Sequence, residues 1–311
     1  MTGAISTAEL VRRTLTGRRR DTAGVLFEAL IGGLLLLAVA VLVWLLAVIA
    51  TRGLPVIGER GLDFVTSNLS SDASRAGVAQ GIAGSLMLMV FVALISFPLG
   101  IAAAVYLEEY ATEGRFTRLI NTVVRNLAGV PSVVYGLLGL SIFVVALGDV
   151  TGPGIAHGRS LISGGLTMAI LVLPIVIITA AEALRAVPIT IREAAFGVGA
   201  TRWEVVRHHV LPYAAPGVLT GTILSMARAF GETAPLILVG AVIGGLSTHN
   251  EGLAEVLQGR YTALPTTVYD WARKPAAFAE NTYAAIVVLL VVLLVVNALA
   301  VILRNRLERR W

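Results

Sequence analysis

From Leu30 to Ala50 the chain runs for 21 residues without a charged side chain. A bilayer crossing needs about 20 mostly apolar residues, so this interval is long enough to be a membrane helix. Ala76 to Leu107, Asn126 to Gly148, Ser160 to Ala181 and Asn281 to Leu303 are charge-free as well. A sixth interval, from His208 to Asn250, holds just two charges, Arg228 and Glu232. Six spans are therefore predicted. They are predicted as helices, because barrel strands are about ten residues long and alternate in polarity.

Composition agrees. Hydrophobic residues make up 57% of the 311 and charged residues 14%, against about 25% charged in soluble domains. A water-soluble fold of this size has too little interior to hide that much apolar surface, which argues against a soluble enzyme, a nucleic-acid binder or a disordered chain. There is no cysteine, hence no disulfide and no thiolate metal or redox site.

Six spans put both termini on one side, and the arginines say which. Arg12, Arg13, Arg18, Arg19 and Arg20 precede the first span. Arg115, Arg118 and Arg125 lie in the second loop, Arg185, Arg192, Arg202 and Arg207 in the fourth, and Arg304, Arg306, Arg309 and Arg310 in the tail. These sixteen face seven on the other side: Arg52, Arg60, Arg75, Arg159, Arg260, Arg273 and Lys274. The positive-inside bias predicts a plasma-membrane protein with both termini cytoplasmic. Arg12-Arg13 loosely resembles a twin-arginine signal, but the 21 apolar residues that follow exceed a signal core of about 7–15, so a retained helix is predicted. The organisation read here is a basic cytoplasmic segment (1–28), one membrane domain (29–303) and a basic tail (304–311).

Several chemistries find no residues. The single lysine, Lys274, precedes Pro275, so no Gly-Lys-Ser/Thr phosphate loop can form. His157, His208, His209 and His249 lack metal-ligand spacing, and no Gly-x-Ser-x-Gly elbow appears. The expectation is a chain that is not an enzyme and binds no cofactor itself.

Two segments carry informative polar residues. In the fourth loop (188–212), Thr190 precedes Glu193 by three and Thr201 precedes Glu204 by three, which predicts two capping boxes. Gly197 and Gly199 between them predict helix, glycine turn, helix, closing at Leu211-Pro212. The small Ala194 and Ala195 would let a partner approach, although a hairpin that merely joins two spans fits the same pattern. In the fifth span, a helix starting near Pro216 would carry Arg228 about 18 Å along its axis, near the bilayer midplane. An arginine there costs about 2.5–3.5 kcal/mol on insertion scales and ordinarily faces protein or a wet cavity. One reading is an intrahelical pair with Glu232. The other is an anion path, in which the guanidinium's paired donors fit a tetrahedral oxyanion, Glu232 holds it in place and Thr233 adds a hydroxyl. Gly231 and Pro235 allow a kink, and Gly217 with Gly221 permits close helix approach.

Glu193-Ala194-Ala195, then Gly199, then Leu211-Pro212, is similar to the "EAA" loop of permease subunits in ATP-binding-cassette importers, with His209 where that family has isoleucine. Ala227-Arg228-Ala229-Phe230-Gly231-Glu232-Thr233-Ala234-Pro235-Leu236 resembles the PstA family of phosphate-importer permeases. So do Phe97-Pro98-Leu99-Gly100-Ile101 with Tyr106-Leu107, Gly129-Val130-Pro131-Ser132, Leu173-Pro174, and Leu264-Pro265 with Tyr269. Relatives place a basic residue shortly after the fourth-span Leu-Pro where this chain has Ile178, which leaves it to do without one or to use Arg185. The resemblance implies an all-α membrane domain with the type I importer permease (MetI-like) fold. It implies one half of a pore completed by a PstC-like permease, a coupling helix docked on a PstB-like ATPase dimer that holds ATP and Mg, and delivery by a PstS-like phosphate-binding protein. Arg228, Glu232 and Thr233 would line the substrate path. A sulfate or molybdate permease, a transporter or channel working alone, and a phosphate-sensing scaffold are the alternatives.

Overall fold

The computed structural model describes residues 22–112, 114–241 and 252–308. The arginines at positions 12 to 20, and Arg309 and Arg310, lie outside the described residues. The described elements are helical: α1 (Thr22–Arg60), α2 (Leu62–Thr66), α3 (Ala79–Val105), α4 (Arg115–Ala128), α5 (Ser132–Gly139), α6 (Gly148–Thr151), α7 (Leu161–Arg185), α8 (Ile189–Gly197), α9 (Arg202–Val205), α10 (Leu211–Gly231), α11 (Ala234–Leu238), α12 (Leu253–Gln258), α13 (Leu264–Trp271) and α14 (Ala279–Glu308). Wider π turns extend three of them: Tyr106–Tyr110 after α3, Leu140–Ala146 after α5 and Val206–Val210 between α9 and α10. Five helices are long and apolar enough to cross a membrane, and a bent pair makes a sixth.

The chain forms two compact units, 1–51 and 52–311. In the first, residues 22–51 are one apolar helix, longer than the predicted Leu30–Ala50. The second is organised around α7, the predicted fourth span. Fifteen of its 25 residues are buried, because α3, α4, α5 and α10 all pack on it. Lipid gives helices no hydrophobic reason to associate, so contact depends on close approach and hydrogen bonds. Gly217 and Gly221 of α10 supply the first, lying where a Cβ would strike Ala183 and Thr179 of α7. Ser96 supplies the second, donating across to the Ala169 carbonyl at 3.2 Å. Ser160 caps α7, its hydroxyl accepting from the Ser163 N–H at 3.2 Å.

The third predicted span is the one that changes shape. Asn126 to Gly148 is not a single helix: α4 ends at Gly129, Pro131 starts α5, and the two axes differ by 100°. Proline cannot donate the backbone bond that would continue α4, and it disfavours helical geometry at Val130 before it. The Tyr135 hydroxyl pins the bend, donating to the Leu127 carbonyl at 2.8 Å.

At the far end of the bundle α2, α13 and the first turns of α14 form a cap. Trp271 is buried there between Phe64 and Phe278, at centroid distances of 6.3 and 5.7 Å. The Leu264 N–H donates to Ser85 Oγ at 2.8 Å, fixing α13 on α3. At the opposite end, Ala104, Ala180, Ala181, Leu184, Ala195, Val205, Val210, Ala214 and Val218 make a second core of mostly small side chains.

Candidate functional site

Two places draw the predicted residues together, one at each end of the helix that starts at Arg202. The first is the loop 188–212. Its α8 begins at Ile189 after Pro188, with no side-chain cap. The capping box expected from Thr190 and Glu193 is therefore absent: Thr190 lies inside the first turn, because Pro188 already stops the preceding chain. The second box is present. Glu204 Oε2 accepts from the Thr201 N–H at 2.8 Å and from its hydroxyl at 2.7 Å, while the Glu204 N–H reaches back to Thr201 Oγ1 at 3.4 Å. These bonds to the ionised form, the backbone one first, hold the Glu204 carboxyl below its ordinary range. Just before this box Gly199 takes φ +87°. Its N–H donates to the Phe196 carbonyl at 2.9 Å and the Ala200 N–H to the Ala195 carbonyl at 3.1 Å, the pair of bonds that closes a helix in a Schellman motif.

Leu211-Pro212 does not close this segment as expected. The helix continues from α9 through the π turn Val206–Val210 into α10, as one rod from Arg202 to Gly231. The widened turn, closed by the Leu211 N–H on the Val206 carbonyl, absorbs the proline that would otherwise break the ladder. Glu193 and Ala194 are exposed and Ala195 is buried. Around them Ile189, Phe196, Val198 and Trp203 present large exposed apolar side chains.

The second place is the other end of the rod. α10 stops at Gly231, Glu232 is extended (φ −76°, ψ 119°), and α11 begins after Thr233 with Pro235 in its first turn. The predicted kink is a full break, so Arg228 sits in the last helical turn and Glu232 beyond it, not within one helix as an intrahelical pair. Arg228 Nε stands 3.6 Å from Glu232 Oε1, too far for a hydrogen bond. The Arg228 side chain is 62% exposed and that of Glu232 19%. Thr233 follows directly in the chain, and among the described residues its hydroxyl bonds to neither. Exposed positions Leu224, Arg228 and Gly231 recur at helical spacing, forming one open stripe along the last two turns of α10 that carries the guanidinium.

Depth along the bundle can be gauged from α14. Its charge-free run ends at Leu303, and Arg304 donates to Thr220 Oγ1 at 3.0 Å. Arg228 is eight residues past Thr220, about 12 Å along the axis, alongside the apolar part of α14. Measured from Thr220 the distance is about 12 Å, against about 18 Å from Pro216, and both place Arg228 well inside the apolar part of the bundle.

Glu108, Glu109 and Tyr110, not singled out from the sequence, complete the first place. Arg185 donates from Nε and Nη2 to both carboxylate oxygens of Glu108, at 2.7 and 2.6 Å. Arg192 Nη2 donates to Glu109 Oε1 at 2.7 Å and to the Leu184 carbonyl at 2.9 Å, and its Nη1 donates to Val187 at 2.7 Å. Arg202 lies 5.4 Å from the Tyr110 ring centroid. Arg185 is thus engaged by Glu108 and is not brought to Arg228 in place of a basic residue at Ile178. Two adjacent carboxylates, the first charges after a charge-free run, were the available signal.

The profile of the family described as binding-protein-dependent transport system inner membrane component matches residues 96–311, and the chain belongs to that family. Among its relatives is the phosphate transport system permease protein PstA 1 of Mycobacterium tuberculosis (strain CDC 1551 / Oshkosh), 34% identical over 307 residues that cover 97% of this chain and 94% of the relative. The phosphate transport system permease protein PstA of Yersinia pestis is 32% identical over 263 residues, covering 83% and 82%. A chain in the crystal structure of a bacterial alginate ABC transporter in complex with an alginate pentasaccharide-bound periplasmic protein superposes with a TM-score of 0.65 at 16% identity, covering 93% of this chain and 99% of that one. The chain is a multi-pass membrane protein with the fold of ABC importer permeases.

Proposed function

We propose that this chain is the permease subunit of an ATP-driven inorganic phosphate importer and forms half of its pore. The naming of its relatives supports the substrate. The single observation that carries the path is Arg228, an arginine level with apolar helix, on an open stripe, at a break, and without a hydrogen bond among the described residues. Leaving a guanidinium uncommitted at such a depth costs free energy, and a passing oxyanion offers it paired acceptors. Glu232 at 3.6 Å weakens the hold on the anion enough for release. Breaks in a membrane helix are tolerated where they line a cavity, which fits a half-pore completed by a PstC-like sister subunit on the open stripe.

The loop 188–212 is the docking element for a PstB-like ATPase dimer, which binds ATP and Mg. Exposed Glu193 and Ala194, with Phe196, Val198 and Trp203 around them, offer an apolar surface with one charge; buried Ala195 ties α8 to the bundle, the Gly199 turn aims it, and Leu211-Pro212 leads into α10. Both termini are cytoplasmic on the arginine bias, with 1–28 and 304–311 flanking the membrane domain. A PstS-like binding protein delivers phosphate to the opposite face. Closure of the ATPases swings the loop and rocks the half-pore as a rigid body. Labelled phosphate uptake in proteoliposomes of the four-component complex, with and without this chain, tests the reading; uptake that sulfate or molybdate abolishes at equal concentration would reassign the substrate.

A further inference from the structure

The rod from Arg202 to Gly231 gives α8 and α9 a covalent connection to Arg228. It gives them none to α3, the helix that covers much of α7. That connection is made by side chains. Three consecutive residues of one π turn, Glu108, Glu109 and Tyr110, engage three separate arginines. Glu108 takes Arg185 at the end of α7, Glu109 takes Arg192 inside α8, and Tyr110 takes Arg202 at the start of α9. Arg192 also donates to the Leu184 and Val187 carbonyls, so one guanidinium joins the ends of α3, α7 and α8. The Glu109 side chain is 9% exposed and that of Arg192 20%, which shields this pair from water and salt.

We propose that Tyr106–Tyr110 is a transmission clasp, which makes α3 and α7 move with α8 and α9 when the ATPases close. Glu108, Glu109 and Arg192 are positioning residues in this account, since none touches the anion. The inference rests on the reading that α8 and α9 dock the ATPase. Without the clasp, α3 would follow the loop only through the small-residue core around Ala104, Ala195 and Val210, and more ATP would be hydrolysed for each anion moved.

The test uses the complete complex in proteoliposomes with the binding protein present, and reads phosphate imported per ATP hydrolysed. Glu108→Arg should lower that ratio about tenfold, a typical coupling for a close charge pair, with the ATPase still retained in a pull-down and its turnover within about twofold of wild type. Adding Arg185→Glu to the same chain should recover at least half of the lost ratio; this pair is chosen because Arg185 makes no second backbone contact of the kind Arg192 makes. Uptake and hydrolysis falling together in Glu108→Arg would overturn the proposal, and so would a double variant no better than the single one. The docking reading fails separately: Gly199→Trp should release the ATPase in the pull-down, and a complex that stays intact counts against docking while leaving the ratio measurement to judge the clasp.

Discussion

The two ends of the Arg202–Gly231 rod treat arginine in opposite ways. Near its start, Arg192 makes hydrogen bonds to one carboxylate and two carbonyls and Arg185 a two-pronged bond to Glu108. At its finish, Arg228 has a carboxylate 3.6 Å away and leaves it unbonded. The start of the rod lies next to the basic loops, where water can compete; the finish lies beside the apolar part of α14. Environment alone would predict the reverse, with the deeper arginine the more tightly paired, because burying an unpaired charge is costly. The difference is one of geometry: hydrogen-bonded pairs at the start of the rod, a looser 3.6 Å ion pair at its finish, and on the proposed reading that looseness leaves donors of Arg228 for an anion.

The largest break in that contrast is at Arg228 itself. Arg228→Gln should lower phosphate uptake by about a hundredfold or more, the scale of losing a charged donor to an anion in a shielded site, while the complex still assembles. Arg228→Lys keeps the charge but loses the planar fork, so uptake should fall in between. Labelled uptake by each variant checks both, and normal uptake by Arg228→Gln ends the assignment of Arg228 to the path.

At the other end the expected loss is in stability. Arg192→Leu strands the Glu109 carboxylate and two carbonyls in a part-buried place, and should cost about 1–3 kcal/mol, as leaving such groups unsatisfied does. Arg185→Leu should cost less than about 1 kcal/mol, because the Arg185 side chain is 47% exposed and the pair is screened. Thermal unfolding of the purified complex separates the two. Equal losses would mean that burial does not distinguish the clasp's pairs.

Gly199 sharpens the comparison at smaller scale. Its φ is +87°, and the space that a Cβ would occupy there is open. Gly199→Ala therefore meets no neighbour, and its cost of about 1–2 kcal/mol is backbone strain alone. An unchanged melting temperature would show that the turn relaxes.

Much of this was legible because lipid leaves few options. Charge-free runs located the helices at Ala79–Val105, Leu161–Arg185 and Ala279–Glu308 to within a few residues, since a helix satisfies the backbone hydrogen bonds of an apolar run within the run itself. Thr201 and Glu204 were readable because a capping box is local. What escaped depends on position along the chain or across it. Pro212 and Pro131 look alike in sequence, yet a π turn carries the helix through the first and a 100° bend follows from the second. The break after Gly231 was expected as a kink only, because Arg228 and Glu232 at i,i+4 imitate a helical pair. Glu108 and Glu109 meet Arg185 and Arg192 across 77 and 83 residues, a separation that no local pattern encodes.

A further small effect concerns the box that did form. Thr201→Ala removes the hydroxyl that Glu204 and its N–H share, and should cost about 1 kcal/mol, the ordinary value of such a cap. The sign with pH follows from Glu204. Hydrogen bonds from Thr201 lower its carboxyl in the folded protein relative to 4.5, so its stabilising contribution is present above that value and is lost as pH falls through the lower, native one. Wild type should therefore lose stability in mild acid more steeply than Thr201→Ala, which has already given up one of those donors. Melting curves of the two proteins should converge as pH drops below 4.5. If they stay parallel, the backbone N–H of residue 201, which Thr201→Ala keeps, holds Glu204 without help from the hydroxyl.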